Sequence, residues 1–330
     1  MRKGQIGDGA VTETRNREKG MRTIQIADRI IDDESPAYVV AEIGHNHGGS
    51  IDTAIKMIRV AAAAGVDAVK LQKRHNQTLY SKALLDAPYE NENSYGKTYG
   101  EHREALEFGV VGYSRCLSAA RAENVACFAT AFDEPSADFL MALGVPAVKI
   151  ASGGLTDTAL LNHVASLHVP MIVSTGGGTL KDIDTAVNTV TKHHNQLALL
   201  QATACYPVRD YRELDLRVIS TLRDEYPSLV IGWSGHDNGI AMAVAAFTLG
   251  ARIIEKHFTL ARDSKGTDHA FSLEPAGLSK LCRDLGRAHA ALGDGAKRYL
   301  PSEVGPISKM RRRDTADGWR ITGERDTPTA

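Results

Sequence analysis

Residues 38–74 read YVVAEIG, HNHGGS, IDTAIKMIRVAAAAG, VD and AVKLQKR in succession, and this stretch decides the fold. The first and last segments are apolar runs too short to be helices of their own. Between them lie a polar, glycine-bearing turn and an amphipathic stretch with helical spacing. Strand, turn, helix and second strand make a βαβ unit, and two near-continuous apolar strands joined this way imply a parallel sheet covered on both faces. The theme then recurs. Further runs are ACFATAF (126–132), AVKIASG (147–153), PMIVSTG (170–176), LALLQAT (197–203), LVIGWSG (229–235) and RIIEKHF (252–258). Helical text separates them, as in SADFLMALG (136–144), which stops at glycine followed by Val145-Pro146. Eight strands in this span match the count and size of an α/β fold of the (β/α)8 TIM-barrel type. A doubly wound open sheet is the rival, but no Gly-x-Gly-x-x-Gly follows the first strand.

Working outward, TIQIADRIIDDESP (23–36) alternates apolar and polar residues around a polar turn and predicts a short N-terminal β-hairpin. Residues 1–22 are polar and aperiodic and read as a flexible tail. The barrel domain is expected over 23–300, and 301–330 as an irregular C-terminal tail whose triple arginine reads as a solvated charge run. The one long insertion, about 75–112, carries YENENSYGKTYGEHRE and follows the second strand. It is expected as a polar loop at the C-terminal mouth, acting as a lid or touching substrate.

Of the 330 residues, 43% are apolar, and 39 lysines and arginines nearly cancel 40 aspartates and glutamates. That composition excludes disorder for most of the chain, and the charge balance argues against nucleic-acid or membrane-surface partners. No apolar run is long enough to cross a membrane, and the basic N-terminus has no apolar core behind it. Four scattered cysteines without a Cys-x-x-Cys pattern point to reduced thiols and a cytoplasmic setting.

Catalytic groups of such barrels collect at the C-terminal ends of the strands. Here those ends carry Glu42 with His45-Asn46-His47-Gly48-Gly49, Lys70 and Gln72, Thr130, Lys149 and Ser152, Ser174-Thr175, Thr203 leading to Tyr206, Ser234-Gly235-His236, and Glu255-Lys256-His257. Two lysines on separate strands, with hydroxyls and glycine-rich turns, form a cradle for an anion with several oxygens. The plainer alternative is that one lysine pairs with Glu42 or Glu255 as a structural ion pair. His236 and His257 end adjacent strands, so their imidazoles can share one mouth and suit a divalent transition metal. A lone histidine is usually structural, and that reading holds for His163, His168, His193, His194 and His289. Asp268 and His269, in the loop after strand eight, are further candidates.

Nine segments in this order, AEIGHNHGG, GVDAVKLQ, FATAFD, LGVPAVKIASG, PMIVSTGGGTLKDI, LLQATACYP, IGWSGH, GARIIEKHFTL and GTDHAFSLEP, closely resemble the N-acetylneuraminate (sialic acid) synthase family. The resemblance implies phosphoenolpyruvate-dependent condensation with a sugar aldehyde, N-acetylmannosamine-like or divergent, giving a 2-keto-3-deoxy acid and phosphate. It implies that His236 and His257 hold manganese or magnesium, and that Lys70, Thr130, Lys149, Ser152 and Ser234 contact phosphoenolpyruvate. Glu42 would orient water or shuttle a proton, and Gln72, Tyr206 and Asp268 would touch the sugar. A homodimer is also implied.

The departures are Ala204 where the family usually has Asn, Gly154 where it has an acidic residue, Gly235 where it has Asp, and Gly48 within the usual Asn-His-Asn-Gly. Family members also carry a C-terminal antifreeze-like domain, for which the final residues hold too little regular sequence. Three alternatives compete with this reading. One is a sugar-phosphate acceptor, as in octulosonate or heptulosonate phosphate synthases, for which Arg74, His75, Lys97 and Arg103 supply basic residues. Another is an impaired barrel acting as a binding subunit, favoured by Ala204 and Gly235. The third, an amidohydrolase-type barrel suggested by His45-x-His47 and Lys149, fails because strands five and six do not end in histidine.

Overall fold

The computed structural model describes residues 22–328 and divides the chain into two units, one ending at Ala288 and the other beginning at His289. In the first unit, β1 (Ile24–Ile26) and β2 (Arg29–Ile31) pair antiparallel as the expected hairpin. Residues 1–21 of the expected tail lie outside the described residues. Arg22, the last residue of that expected tail, is buried and donates to Asp33 at 2.7 Å, so it belongs to the folded unit.

Eight parallel strands follow and close into a barrel: β3 (Tyr38–Gly44), β4 (Ala68–Lys73), β5 (Ala126–Ala131), β6 (Val148–Ile150), β7 (Met171–Ser174), β8 (Leu197–Ala202), β9 (Val230–Gly235) and β10 (Ile253–His257). Each lies within a run read from the sequence. β10 closes the cylinder by pairing with both β9 and β3.

Register decides which side chains meet inside. Glu42 stands opposite both His257 and Lys70, Thr130 opposite both Gln72 and Lys149, and Glu255 opposite Ser234. Because side chains alternate along a strand, these polar residues share the interior face. Beneath them Val40, Phe128, Ile172, Leu200 and Ile253 fill the cylinder, all at most 1% exposed. Lys256 has the opposite parity and leaves the interior. It packs with Trp233 and Asp237 on the outer side of β10.

The outer layer shows why helices form where they do. α1 (Ile51–Ala63) starts at Ser50, whose hydroxyl accepts from the Thr53 amide, and buries Ala54, Met57, Ile58 and Ala61, the spacing of one helical face. α5 (Val110–Ala122) packs beside it.

The insertion departs from the expectation of a loop. It folds into α2 (Asn76–Leu79), α3 (Lys82–Leu85) and α4 (Tyr99–Leu106) before α5 begins. α4 starts at a reciprocal cap between Thr98 and Glu101. The rings of Tyr89, Tyr99 and His102 pack edge-on or tilted against one another, with Tyr89 and His102 centroids 4.6 Å apart. Such short helices show no apolar period in sequence; ring packing and a cap hold them instead. The insertion also reaches across the mouth: Tyr95 Oη donates to the Lys265 carbonyl at 2.7 Å, and Asn93 Oδ1 accepts from the Gly266 amide at 2.9 Å. Its seat on the β3–α1 turn requires glycine. Gly49 has φ +78°, and a Cβ there would lie 2.1 Å from the Ala105 carbonyl oxygen of α4.

α6 (Pro275–Leu292) spans the boundary between the units, and in the second unit α7 (Val304–Ser308) precedes a two-stranded antiparallel ribbon of β11 (Arg312–Arg313) and β12 (Arg320–Ile321). The triple arginine is engaged within this unit: Arg311 and Arg313 pair with Asp326, and Arg312 donates to the Trp319 carbonyl. Among the described residues, no helix is long and apolar enough to cross a membrane.

Candidate active site

All eleven site residues expected from sequence (Glu42, Lys70, Gln72, Thr130, Lys149, Ser152, Tyr206, Ser234, His236, His257 and Asp268) line one cavity of about 420 Å³ at the C-terminal mouth of the barrel. That is ample for a small-molecule ligand. His269 does not join them. Its Nδ1 lies 2.7 Å from Thr259 Oγ1, away from this cavity, and Lys256 is absent from the lining for the parity reason given above.

At the floor, four charges interlock. Lys70 Nζ lies 2.7 Å from Glu42 Oε2 and 3.7 Å from Glu255 Oε1, and it donates to Thr130 Oγ1 at 2.8 Å. Among the described residues, Lys149 Nζ has a single carboxylate partner, Glu255 Oε1 at 3.3 Å, which also accepts from Ser234 Oγ at 3.1 Å. Gln72 donates to Glu42 Oε1 at 2.7 Å. The two readings of the lysines therefore coexist: both ammonium groups line the cavity and both are ion-paired.

Their balance differs. Burial pulls Lys70 down, but Glu255 and Glu42 outweigh it and hold its pKa above the ordinary value. Burial also pulls Lys149 down, and Glu255, opposed by the like charge of Lys70, does not make up the difference. Glu255 is pushed up by burial, yet Lys149 and Lys70 prevail and hold it at about 2. Of the two lysines, Lys149 thus has the more to gain from an added anion. Ser174 Oγ and Glu255 Oε2 are buried without a hydrogen-bond partner among the described residues, and Ser152 Oγ accepts from the Gly176 amide at 3.1 Å.

On one wall, the His236 and His257 ring centroids stand 5.5 Å apart. His236 Nδ1 is 2.8 Å from the Thr203 carbonyl, which can only accept, so Nδ1 carries the proton and Nε2 presents a lone pair. Burial first, then the neighbouring His257, lower its pKa to about 3, which keeps the imidazole neutral. His257 Nδ1 is buried without a hydrogen bond, and Asp268 Oδ2 lies 3.7 Å from it. Tyr206 packs 4.2 Å from the His236 ring, and Phe271 packs 4.9 Å from that of His257. Two imidazoles, each with a ring nitrogen left without a hydrogen bond, beside a carboxylate fit a divalent metal. Among the described residues, no three His, Cys, Asp or Glu side chains are gathered closely enough to enclose an ion.

The mouth adds residues that strand reading missed. Tyr89, Tyr95 and His102 come from the folded insertion; His45, read at the end of the first strand but given no role, and Arg74 and Arg103, noted from sequence only as basic residues, also line the cavity. His75 and Lys97 do not. The signal for the insertion's part was its position after β4 and its aromatic content, not any period. Two departures from the family pattern also gain a setting. A Cβ at Gly235 would lie 1.8 Å from the Trp233 ring, so the indole occupies the space a side chain needs, and Ala204 lines the cavity.

The closed parallel barrel, with buried lysines, paired carboxylates and two imidazoles converging at its C-terminal mouth, defines the class: a TIM-barrel enzyme acting on a polyanionic small molecule. The chain belongs to the NeuB family, which it matches over residues 57–297, and is an enzyme of the sialic acid synthase type. It is 37% identical to the mouse (Mus musculus) N-acetylneuraminate-9-phosphate synthase over 282 residues, covering 86% of this chain and 78% of that protein. It is 34% identical to the N,N'-diacetyllegionaminic acid synthase of Legionella pneumophila over 298 residues, covering 87% and 83% of the two chains. The crystal structure of N-acetylneuraminic acid (sialic acid) synthetase from Leptospira borgpetersenii, in complex with citrate, superposes with a TM-score of 0.74 at 31% identity, covering 87% of this chain and 95% of that one.

Proposed function

We propose that this chain condenses phosphoenolpyruvate with the aldehyde of an open-chain sugar, releasing phosphate and a 2-keto-3-deoxy sugar acid. The observation that carries the reading is the convergence of Lys70, Lys149 and the hydroxyls of Thr130, Ser152, Ser174 and Ser234 with two imidazoles in one cavity. Family membership supports it, as do relatives named for nonulosonic acid synthesis.

Lys149, Lys70 and the hydroxyls bind the phosphate and carboxylate oxygens and present carbon 3 of the enolpyruvyl group to the acceptor. The family generally uses a divalent metal; bound by His236 and His257, manganese or magnesium would supply Lewis-acid polarisation of the aldehyde. Carbon 3 forms the new bond as the enol π electrons move to the carbonyl carbon, and the aldehyde oxygen takes a proton. Water then adds to carbon 2, and Glu42, fixed by Lys70 and Gln72, takes the proton that the water gives up. Breaking the carbon 2–oxygen bond sends the electron pair out with phosphate, and loss of the second water proton leaves the ketone. Gln72, Tyr206 and Asp268 bind acceptor hydroxyls. The catalytic domain in this reading is the barrel of residues 23–300, acting as a cytoplasmic homodimer.

The test is formation of 2-keto acid and phosphate by the full chain with manganese, phosphoenolpyruvate and a panel of aldoses. Phosphoenolpyruvate labelled with ¹⁸O at the bridging oxygen should deliver its label to the released phosphate. His236→Ala should lose both turnover and manganese binding while keeping a folded barrel. No turnover on any aldose together with no metal binding would overturn the reading and leave a binding subunit.

A further inference from the structure

The cavity has a second basic end that the condensation steps do not use. Arg74 follows β4 and is 7% exposed. Its guanidinium stacks on Phe132 at 3.7 Å from the ring centroid, donates to Gln72 Oε1 at 2.8 Å and lies 3.1 Å from His45 Nε2. Its Nε is buried with no hydrogen-bond partner among the described residues. The nearest carboxylate, Glu107, stands 3.8 Å away and is more closely engaged by Lys73 at 2.9 Å and His45 at 3.5 Å. Arg103, on α4, is half-buried, packs 4.8 Å from the Tyr99 ring and donates to Tyr99 Oη. Among the described residues, no carboxylate lies within 4 Å of it.

Both guanidinium groups line the cavity. Burial, then the like charge of Arg103, work against the Arg74 cation. Glu107 is matched by Lys73, so two cations remain without a carboxylate of their own. Placing two such charges together in a partly desolvated pocket is unfavourable unless an anion joins them. Guanidinium forks suit the several oxygens of a phosphate monoester, and two positive charges match its dianion better than a single carboxylate. Position agrees. Arg74 sits above β4 and His257 ends β10, with β3 between them. An acceptor with its aldehyde at the imidazoles would extend its far end toward the arginines.

We propose that Arg74 and Arg103 form a subsite for a phosphate monoester on the acceptor sugar, making the substrate class a sugar phosphate rather than a neutral aldose. This rests on the condensation reading above and extends it to the acceptor.

The experiment compares matched acceptors with the full chain, manganese and phosphoenolpyruvate: N-acetylmannosamine against its 6-phosphate, mannose against mannose 6-phosphate, and mannuronate as a carboxylate control. Formation of 2-keto-3-deoxy acid is the readout. Each phosphorylated sugar should exceed its neutral partner at least tenfold in kcat/KM, and mannuronate should fall below mannose 6-phosphate. In Arg103→Met the phosphate preference should shrink at least tenfold, and in Arg74→Lys it should shrink because the fork and the ring stack are lost. Melting curves establish that both variants fold; if Arg74→Lys does not, the half-buried Arg103 position decides alone.

Equal or better turnover of the neutral sugars, or an undiminished preference in Arg103→Met, would overturn the subsite while leaving the condensation reading in place. No turnover with any acceptor would count against the condensation reading. Calorimetry with mannose 6-phosphate alone then judges the subsite: binding that weakens at least tenfold in Arg103→Met supports it, and no binding overturns it.

Discussion

Replacing Lys256 with methionine tests how the two imidazoles are held. Lys256 and Asp237 are each 1% exposed, and Lys256 Nζ lies 2.8 Å from Asp237 Oδ1 and 2.7 Å from the Asp237 carbonyl oxygen, 5.5 Å from the centroid of the Trp233 ring. Asp237 directly follows His236, and Lys256 directly precedes His257. The ion pair therefore ties together the two strand ends that carry the imidazoles, from the outer side of the barrel. Methionine keeps the length of the side chain but leaves the Asp237 carboxylate buried and uncompensated, and Asp237 Oδ2 already has no partner among the described residues.

Breaking one side of a buried pair costs about 3–5 kcal/mol. At about 2–4 °C per kcal/mol for a sizeable domain, the melting temperature should fall by roughly 6–20 °C. Combining Lys256→Met with Asp237→Asn removes the stranded charge and should recover part of the loss, giving a coupling energy above about 1 kcal/mol in a double-mutant cycle. Manganese affinity, read by electron paramagnetic resonance, should weaken at least tenfold in Lys256→Met, that is by about 1.4 kcal/mol. A single mutant that melts within about 1 °C of the parent, or a double mutant no better than the single one, would refute the argument.

Gly235→Ala should destabilise the fold by about 1–3 kcal/mol, because its Cβ would lie 1.8 Å from the Trp233 ring; urea midpoints measure this, and unchanged stability would show that the indole can move aside. Lys149→Ala should raise the KM for phosphoenolpyruvate by about 10–150-fold, the equivalent of one charge-assisted bond, and raise that for the acceptor much less. Equal effects on both substrates would separate Lys149 from the anion. His47 gives a pH prediction. Burial first, then the neighbouring His45, lower its pKa to about 3, and its Nδ1 accepts from the Gly49 amide at 3.0 Å. The folded chain therefore resists a proton that the unfolded chain accepts near pH 6.5. Stability is full above that pH and falls by about 1.4 kcal/mol per pH unit as acid is added toward pH 3. His47→Asn offers an acceptor in place of Nδ1 without the titration, so its urea midpoint should depend less on pH; an identical slope would remove His47 from the account.

The strands, the hairpin and the site residues on them were legible because each depends on a short-range rule. A buried parallel strand must be apolar along its length, and a barrel keeps its polar groups at the C-terminal ends. Glu42, Lys70, Thr130, Lys149 and His257 interrupt apolar runs at places where a purely structural strand has no use for them. Joint order along the chain then carried the family resemblance that the matches bear out.

Tertiary structure alone decided three things. Register set Glu42 against both Lys70 and His257 and sent Lys256 to the outer side, because pairing across strands fixes which parity faces inward. Ring packing and a capping box turned the aperiodic insertion into three short helices and the turn before the third, which together carry Tyr95, His102 and Arg103 to the mouth; four- and eight-residue helices leave no apolar period to read. The pairing of both lysines with Glu42 and Glu255 is likewise a matter of distances in three dimensions. Sequence determined which chemical groups the barrel would present. Which of them touch, and so which charge is left to hold a ligand, depended on how the closed sheet brings distant strands together.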